Sequence, residues 1–177
     1  MKNILLTLFF AALGSFCAMA NNDIIVIKGS LAPLAKGGKA TVVINMDECT
    51  FDNKMPLRED ERYADADKYI PEYQKEFVRE FNEHCKKFSC TGTPDEADYS
   101  FTFNISNMDT YVKIMSFKPG CGTKLWGTMT ILDKKGNTIA VLKLDSFESS
   151  GFTYNLGLEE TYEVFAKKLA KRINKEK

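Results

Sequence analysis

The chain is 177 residues long and carries 24 basic residues, 24 acidic residues and a single histidine. A balance of zero removes the electrostatic basis for nucleic-acid binding, which rests on a surplus of Lys and Arg, and one histidine excludes any mechanism that needs two. At 44% hydrophobic and 12% aromatic, the composition suits one ordinary folded domain and is too rich in core formers for a disordered chain.

Residues 1–20 read as a cleaved signal peptide. Lys2 supplies the basic start, Ile4 to Leu13 the short apolar core, and Ala18-Met19-Ala20 the small-x-small pattern of a cleavage site. The apolar run is shorter than the ~20 residues needed to cross a bilayer. Lipidation at Cys17 is the rival reading, and Phe16 stands where a lipoprotein signal has a small residue. Residues 21–177 are then expected to form a single exported domain, periplasmic or secreted, without an integral membrane segment.

Removal of the leader leaves Cys49, Cys85, Cys90 and Cys121. An even number of cysteines in an oxidising compartment reads as disulfides with three possible connectivities. Cys85 and Cys90 are close enough in sequence to pair across a helix end, which would leave Cys49 with Cys121. Labelling of all four thiols by an alkylating agent in the unreduced protein would contradict this. A zinc site is the alternative, but no C-x2-C pair is present, and His84 and Cys85 are adjacent residues that cannot both face one ion from a regular helix. No metal is expected.

Along the mature chain, Asn22 to Gly29 and Ala40 to Met46 are β-rich runs separated by a turn containing Pro33, Gly37 and Gly38. Residues 47–61 read as a long polar connection. Tyr73, Phe77, Phe81, Cys85 and Phe88 recur at helical spacing, with Pro71 near the start, and predict an amphipathic helix. From Tyr99 to Ser106, apolar and polar residues alternate strictly, as in a strand with one face on a core. A loop is expected around Lys118-Pro119-Gly120-Cys121-Gly122. It is followed by a strand from Leu125 to Leu132, a hairpin turn over Asp133 to Asn137, and a return strand from Thr138 to Phe147. Residues 148–157 are rich in Gly and Ser and read as mobile. Leu158, Tyr162, Phe165, Leu169 and Ile173 then form the apolar stripe of a closing helix, with acids at its start and lysines at its end. The order ββαβββα predicts an α+β two-layer sandwich, a mostly antiparallel sheet with both amphipathic helices on one face.

The run Asp95-Glu96-Ala97-Asp98-Tyr99-Ser100-Phe101 and the hairpin Gly127 to Asn137, followed by the closing helix, resemble small exported envelope domains of bacteria. These are the TolB N-terminal-like and curli-secretion-lipoprotein-like domains, and uncharacterised secreted proteins of Bacteroidetes. The resemblance spans roughly residues 40 to 173 and implies a non-catalytic adaptor of the envelope; it transfers no functional residue.

Tests for chemistry give little. Gly37-Gly38-Lys39 and Gly120-Cys121-Gly122 do not match a phosphate loop, there is no G-x-S-x-G elbow, and His84 cannot face its neighbour Cys85 on a helix. No catalytic residue and no cofactor are expected. Phe117, Lys118, Lys124 and Trp126 are the candidate interaction residues. If the helices cover the Met129 side of its strand, Trp126 lies on the open face of the sheet, where an aromatic marks a binding hot spot. The expected function is a non-enzymatic adaptor that binds another envelope component, with a protein as the expected partner. A carrier of a small apolar ligand or lipid is one alternative and a small secreted hydrolase another.

Overall fold

Local alternation of apolar and polar residues accounts for the long strands, and the 3.6-residue stripes account for two helices. The computed structural model describes residues 24–115, 118–151 and 154–177, with side chains described outside 112–121 and 149–156. The elements are β1 (Ile25–Gly29), β2 (Lys39–Asn45), β3 (Thr50–Phe51), β4 (Met55–Pro56), α1 (Ala66–His84), β5 (Ser89–Cys90), β6 (Tyr99–Met115), β7 (Lys118–Asp133), β8 (Thr138–Gly151) and α2 (Tyr154–Lys175). The class is α+β. The sheet is mixed and runs β1-β8-β7-β6-β2-β5, with β3 also on β6 and β4 on β3. The pairs β1–β8, β8–β7, β7–β6 and β3–β4 are antiparallel, whereas β2–β6, β2–β5 and β3–β6 are parallel. The expected order therefore gains β3, β4 and β5. Each has two residues, too short to show a period of two in sequence.

Three other expectations are corrected. The stretch expected as a loop around Lys118 to Gly122 is the first part of β7. Pro119 fits there because β8 joins β7 only from Cys121 onward, so its missing N–H falls where β7 has β6 alone as a neighbour. The Gly- and Ser-rich stretch read as mobile is strand as far as Gly151 and helix from Tyr154. The first helix ends at His84, so Cys85 and Phe88 extend the apolar stripe beyond it as buried residues of the following turn. The leader, residues 1–20, lies outside the described residues. Among the described residues no helix is long and apolar enough to cross a membrane.

The core forms between the helices and one face of the sheet. Phe101, Phe103 and Ile105 of β6, Met129 and Ile131 of β7, and Ala140, Leu142 and Leu144 of β8 are all buried. Phe103 meets Phe77 of α1 edge-on at 5.4 Å, and Tyr162 and Phe165 of α2 at 5.5 and 5.3 Å. Phe81 of α1 meets Phe101 at 5.9 Å. Both helices thus pack on the same face of β6. Edge-to-face rings add to simple burial because the positive ring edge faces the negative ring face.

The two helices are also tied together by a buried carboxylate. Glu80 of α1 is 4% exposed; its Oε2 lies 3.0 Å from Lys167 Nζ of α2 and its Oε1 2.6 Å from Arg79 Nη1. Burial pushes the Glu80 carboxyl up, but the Lys167 contact and the Arg79 charge outweigh it and hold the pKa below its ordinary value. A carboxyl with a lowered folded pKa stabilises fully above the unfolded value of ~4.3, and the contribution is lost as pH falls through the lower folded value. Glu80→Gln is therefore expected to lower the melting midpoint at neutral pH, and the two proteins are expected to converge as pH falls from about 5 toward 2. Thermal melts of both proteins across that range check it.

Candidate functional site

The sheet face opposite the helices is set by the same alternation that fills the core. Asn45 of β2 pairs in register with Asn104 of β6, which is opposite Thr128 of β7 and, beyond it, Lys143 of β8. Val43, Thr102, Thr130 and Val141 form the next row. Hydroxyl and amide side chains dominate this face around its centre.

Trp126 is on this face, half-buried, with its neighbours Leu125 and Met129 directed into the core. The strands are bent at this point. Ile105 is opposite Gly127 and Asn107 is opposite Trp126, which makes Ser106 an extra residue in β6. On the other side Leu125 faces Phe147 and Gly127 faces Leu144, so β8 also carries an extra residue, and Ser146 has φ +54°. Two bulges thus flank one point of the central strand. Gly127, at φ +153°, allows the close approach, because a Cβ there would lie 2.2 Å from the Asn104 carbonyl oxygen. The Ser106 hydroxyl donates to the Trp126 carbonyl at 3.2 Å. Asn107 is buried, and its Oδ1 accepts from the Thr50 hydroxyl at 2.9 Å and the Asn53 N–H at 2.8 Å, which fixes β3 beside the bulge.

Where β2 ends, a cleft of about 250 Å³ opens between Asn45, Asp47, Glu48, Asn104, Ile105 and Ser106, with Trp126 one strand over on β7. Ile105 is buried on its core side, so its backbone is what the cleft meets. Asn45 Oδ1 accepts the Asp47 N–H at 2.8 Å, which closes the turn after β2. Arg58 fixes the turn from outside, with Nη2 2.9 Å from Asp47 Oδ1 and Nε 2.9 Å from Asp67 Oδ2.

Of the expected interaction residues, Lys124 and Trp126 share the open face two residues apart on β7. Phe117 lies outside the described residues and Lys118 is placed by its backbone alone. Lys124 is engaged within the sheet. Its Nζ is 3.9 Å from Glu148 and 5.0 Å from the ring centre of Tyr111, whose hydroxyl donates to Glu148 at 2.9 Å. Sequence reading missed Asn45, Asn104 and Ser106. The exposed positions in the alternation were a signal for Asn104 and Ser106, but nothing local joins them to residues 45–48.

Cys49, Cys85 and Cys90 are buried free thiols. Burial pushes the Cys49 thiol up to about 12 and holds that of Cys90 well above its ordinary value, with Cys85 adding to the effect on Cys90. Neither supplies a thiolate nucleophile at neutral pH. Cys85 and Cys90 are held at one end of α1, where Asn82 bonds both backbone groups of Cys90, at 2.6 and 2.9 Å, and Asn174 of α2 bonds Lys86 N–H and the His84 carbonyl, each at 2.9 Å. The expected pairing of Cys49 with Cys121 is not brought together. Thr50 is in register with Asn107 and Cys121 with Val112, a separation of about 17 Å along β6 at the strand rise.

His84 Nδ1 lies 2.9 Å from the Glu80 carbonyl, which can only accept, so the ring donates through this nitrogen. Among the described residues two groups could geometrically hold a metal ion: Glu80, Glu83 and His84, and Glu76, Glu159 and Glu163. In both, a protein cation already holds at least one of the carboxylates. Lys167 and Arg79 sit on Glu80, and Arg79 also bonds Glu76 at 2.5 Å and Glu163 at 3.5 Å.

What the geometry defines is a mixed-sheet α+β domain with an open polar face. No protein-family profile and no curated protein matches the chain. Among solved structures it is similar to a PelC dodecamer from Paraburkholderia phytofirmans, at 13% identity over 83% of this chain and 96% of that one, with a TM-score of 0.42. It is similar to a neuraminyllactose-binding hemagglutinin homolog from Helicobacter pylori, at 11% identity over 85% and 87% of the two chains and a TM-score of 0.36. A minor lipoprotein from Acinetobacter baumannii is similar at 15% identity over 77% and 87%, with a TM-score of 0.24. These are distant likenesses and assign no residue a role.

Proposed function

We propose that this chain is an exported, non-enzymatic binding domain of the bacterial envelope, periplasmic or secreted, and that it engages another envelope component through the open sheet face around Trp126. The observation that carries this reading is the half-buried Trp126 on the polar face, at the point where both flanking strands bulge. An aromatic side chain presented on a fixed framework contributes contact area at little cost in conformational entropy. The raised thiols of Cys49 and Cys90 and the engaged His84 favour binding over hydrolysis. The ring packing between Phe77, Phe103, Tyr162 and Phe165 fills the space where an apolar carrier would need its pocket. We also propose that Cys85 and Cys90, by exchange with a disulfide of the oxidising compartment that is reduced to its two thiols, form a disulfide, while Cys49 stays reduced.

Crosslinking in living cells, followed by capture of the tagged protein, tests the binding face. One dominant envelope component is expected to be captured by the wild type and lost with Trp126→Ala, while the melting midpoint changes little. Recovery of a clean monomer, or loss of capture only together with loss of fold, would sink the reading.

A further inference from the structure

We infer that the cleft where β2 ends is a subsite for a neutral glycan, a chain of sugar units bearing free hydroxyl groups. This rests on the open-face reading and names the class of component it accepts.

The lining decides the class. Asn45, Asp47, Glu48, Asn104 and Ser106 present two amides, two carboxylates and a hydroxyl, and Ile105 contributes backbone. An apolar ligand, or the apolar centre of a protein interface, would leave these groups desolvated without partners, at a cost no apolar contact in the cleft offsets. A polyphosphate or nucleic acid meets two carboxylates and no lysine or arginine in the lining. A bare cation meets Asp47 already paired with Arg58. A sugar hydroxyl both donates and accepts. It can give its proton to Glu48 or Asp47 and take one from the amides of Asn45 and Asn104.

The groups are also available. Neither Glu48 nor Asn104 has a side-chain hydrogen bond or ion pair among the described residues, and the Asn45 amide uses its oxygen for Asp47 and keeps its N–H donors. The framework is rigid: Asn45 and Asn104 are an in-register pair on adjacent strands, and the turn beyond them is held by Arg58. Trp126 is one strand over, diagonal to Asn104 across the Ser106 bulge. Trp126 does not line the cleft; a sugar chain that runs from the cleft across β6 would meet its indole, an apolar surface suited to the C–H face of a pyranose ring, while the cleft takes the hydroxyls.

Trp126 is the single tryptophan of the chain, so its fluorescence reports a glycan that reaches from the cleft across β6. The mature protein is titrated with the neutral hexasaccharides chitohexaose, cellohexaose and maltohexaose. A saturable change in Trp126 emission with at least one of them is expected. Asn104→Ala and Glu48→Gln are each expected to weaken it about tenfold with unchanged melting. Absence of a saturable change with all three up to about 10 mM overturns the assignment, as does a change that both variants leave intact. Should the titrations be silent while Trp126→Ala still abolishes capture, the open-face reading stands and the glycan assignment falls. If both are silent, both fall.

Discussion

Gly127→Ala is expected to destabilise the domain by about 3 kcal/mol, more than its single added methyl group would suggest. The new Cβ would sit 2.2 Å from the Asn104 carbonyl oxygen and 3.0 Å from the Ile105 Cα, both backbone atoms of the neighbouring strand that cannot swing aside. The φ of +153° adds strain for any L side chain. At this chain length the loss corresponds to a fall in melting midpoint of roughly 10 °C. Gly136→Ala separates the two causes. Gly136 also has positive φ, at +80°, but no heavy atom lies within 4 Å of its added Cβ, so its loss is expected to be about 1 kcal/mol. Equal losses at the two positions would show that backbone conformation, not the close approach of β6 to β7, governs Gly127. Because the approach also sets the bulge beside Trp126, Gly127→Ala is expected to disturb the open face, visible as a shift in tryptophan emission.

Phe103→Ala is expected to cost about 3–5 kcal/mol. Its ring is fully buried and touches Phe77 of α1 and both Tyr162 and Phe165 of α2, so it is the point at which both helices meet the sheet. Removal leaves a cavity bounded by three large rings that themselves sit in packed positions, and a site of that kind collapses poorly. Phe103→Leu retains most of the volume and is expected to lose less than half as much. Chemical denaturation of the three proteins, with an unchanged slope, checks the order. Similar midpoints for the alanine and leucine variants would mean that ring geometry, and not filled volume, is what α1 and α2 need from this position.

Much of the frame is written locally. The strict alternation from Tyr99 to Ile105 and the stripe Tyr73, Phe77, Phe81 depend on neighbours two, three and four residues away, so they predict a strand and a helix with the observed buried faces. The turn over Asp133 to Asn137 is equally local: Gly136 takes positive φ, and the Asp133 carboxylate accepts the Lys135 and Asn137 N–H groups at 2.9 and 2.8 Å. The bulges leave a trace as well. The buried positions Ile105 and Met108 are three apart, as are Leu144 and Phe147, whereas Leu125 and Met129 keep an even spacing on the strand between them. Such a slip of phase becomes interpretable only once the three strands are known to be neighbours.

By itself, then, the sequence determined the α+β class, the five principal strands, the two helices and the face each turns inward, because periodicity is a short-range property of the chain. Which strands adjoin was decided by the tertiary structure. The parallel pairing of β2 with β6 joins residues 59 apart at Ala40 and Tyr99, and no local pattern distinguishes it from an antiparallel pair. That pairing places the end of β2 beside the β6 bulge and so assembles Asn45, Glu48 and Asn104 into one cleft. It also separates Cys49 from Cys121, two cysteines that sequence counting alone had left for each other.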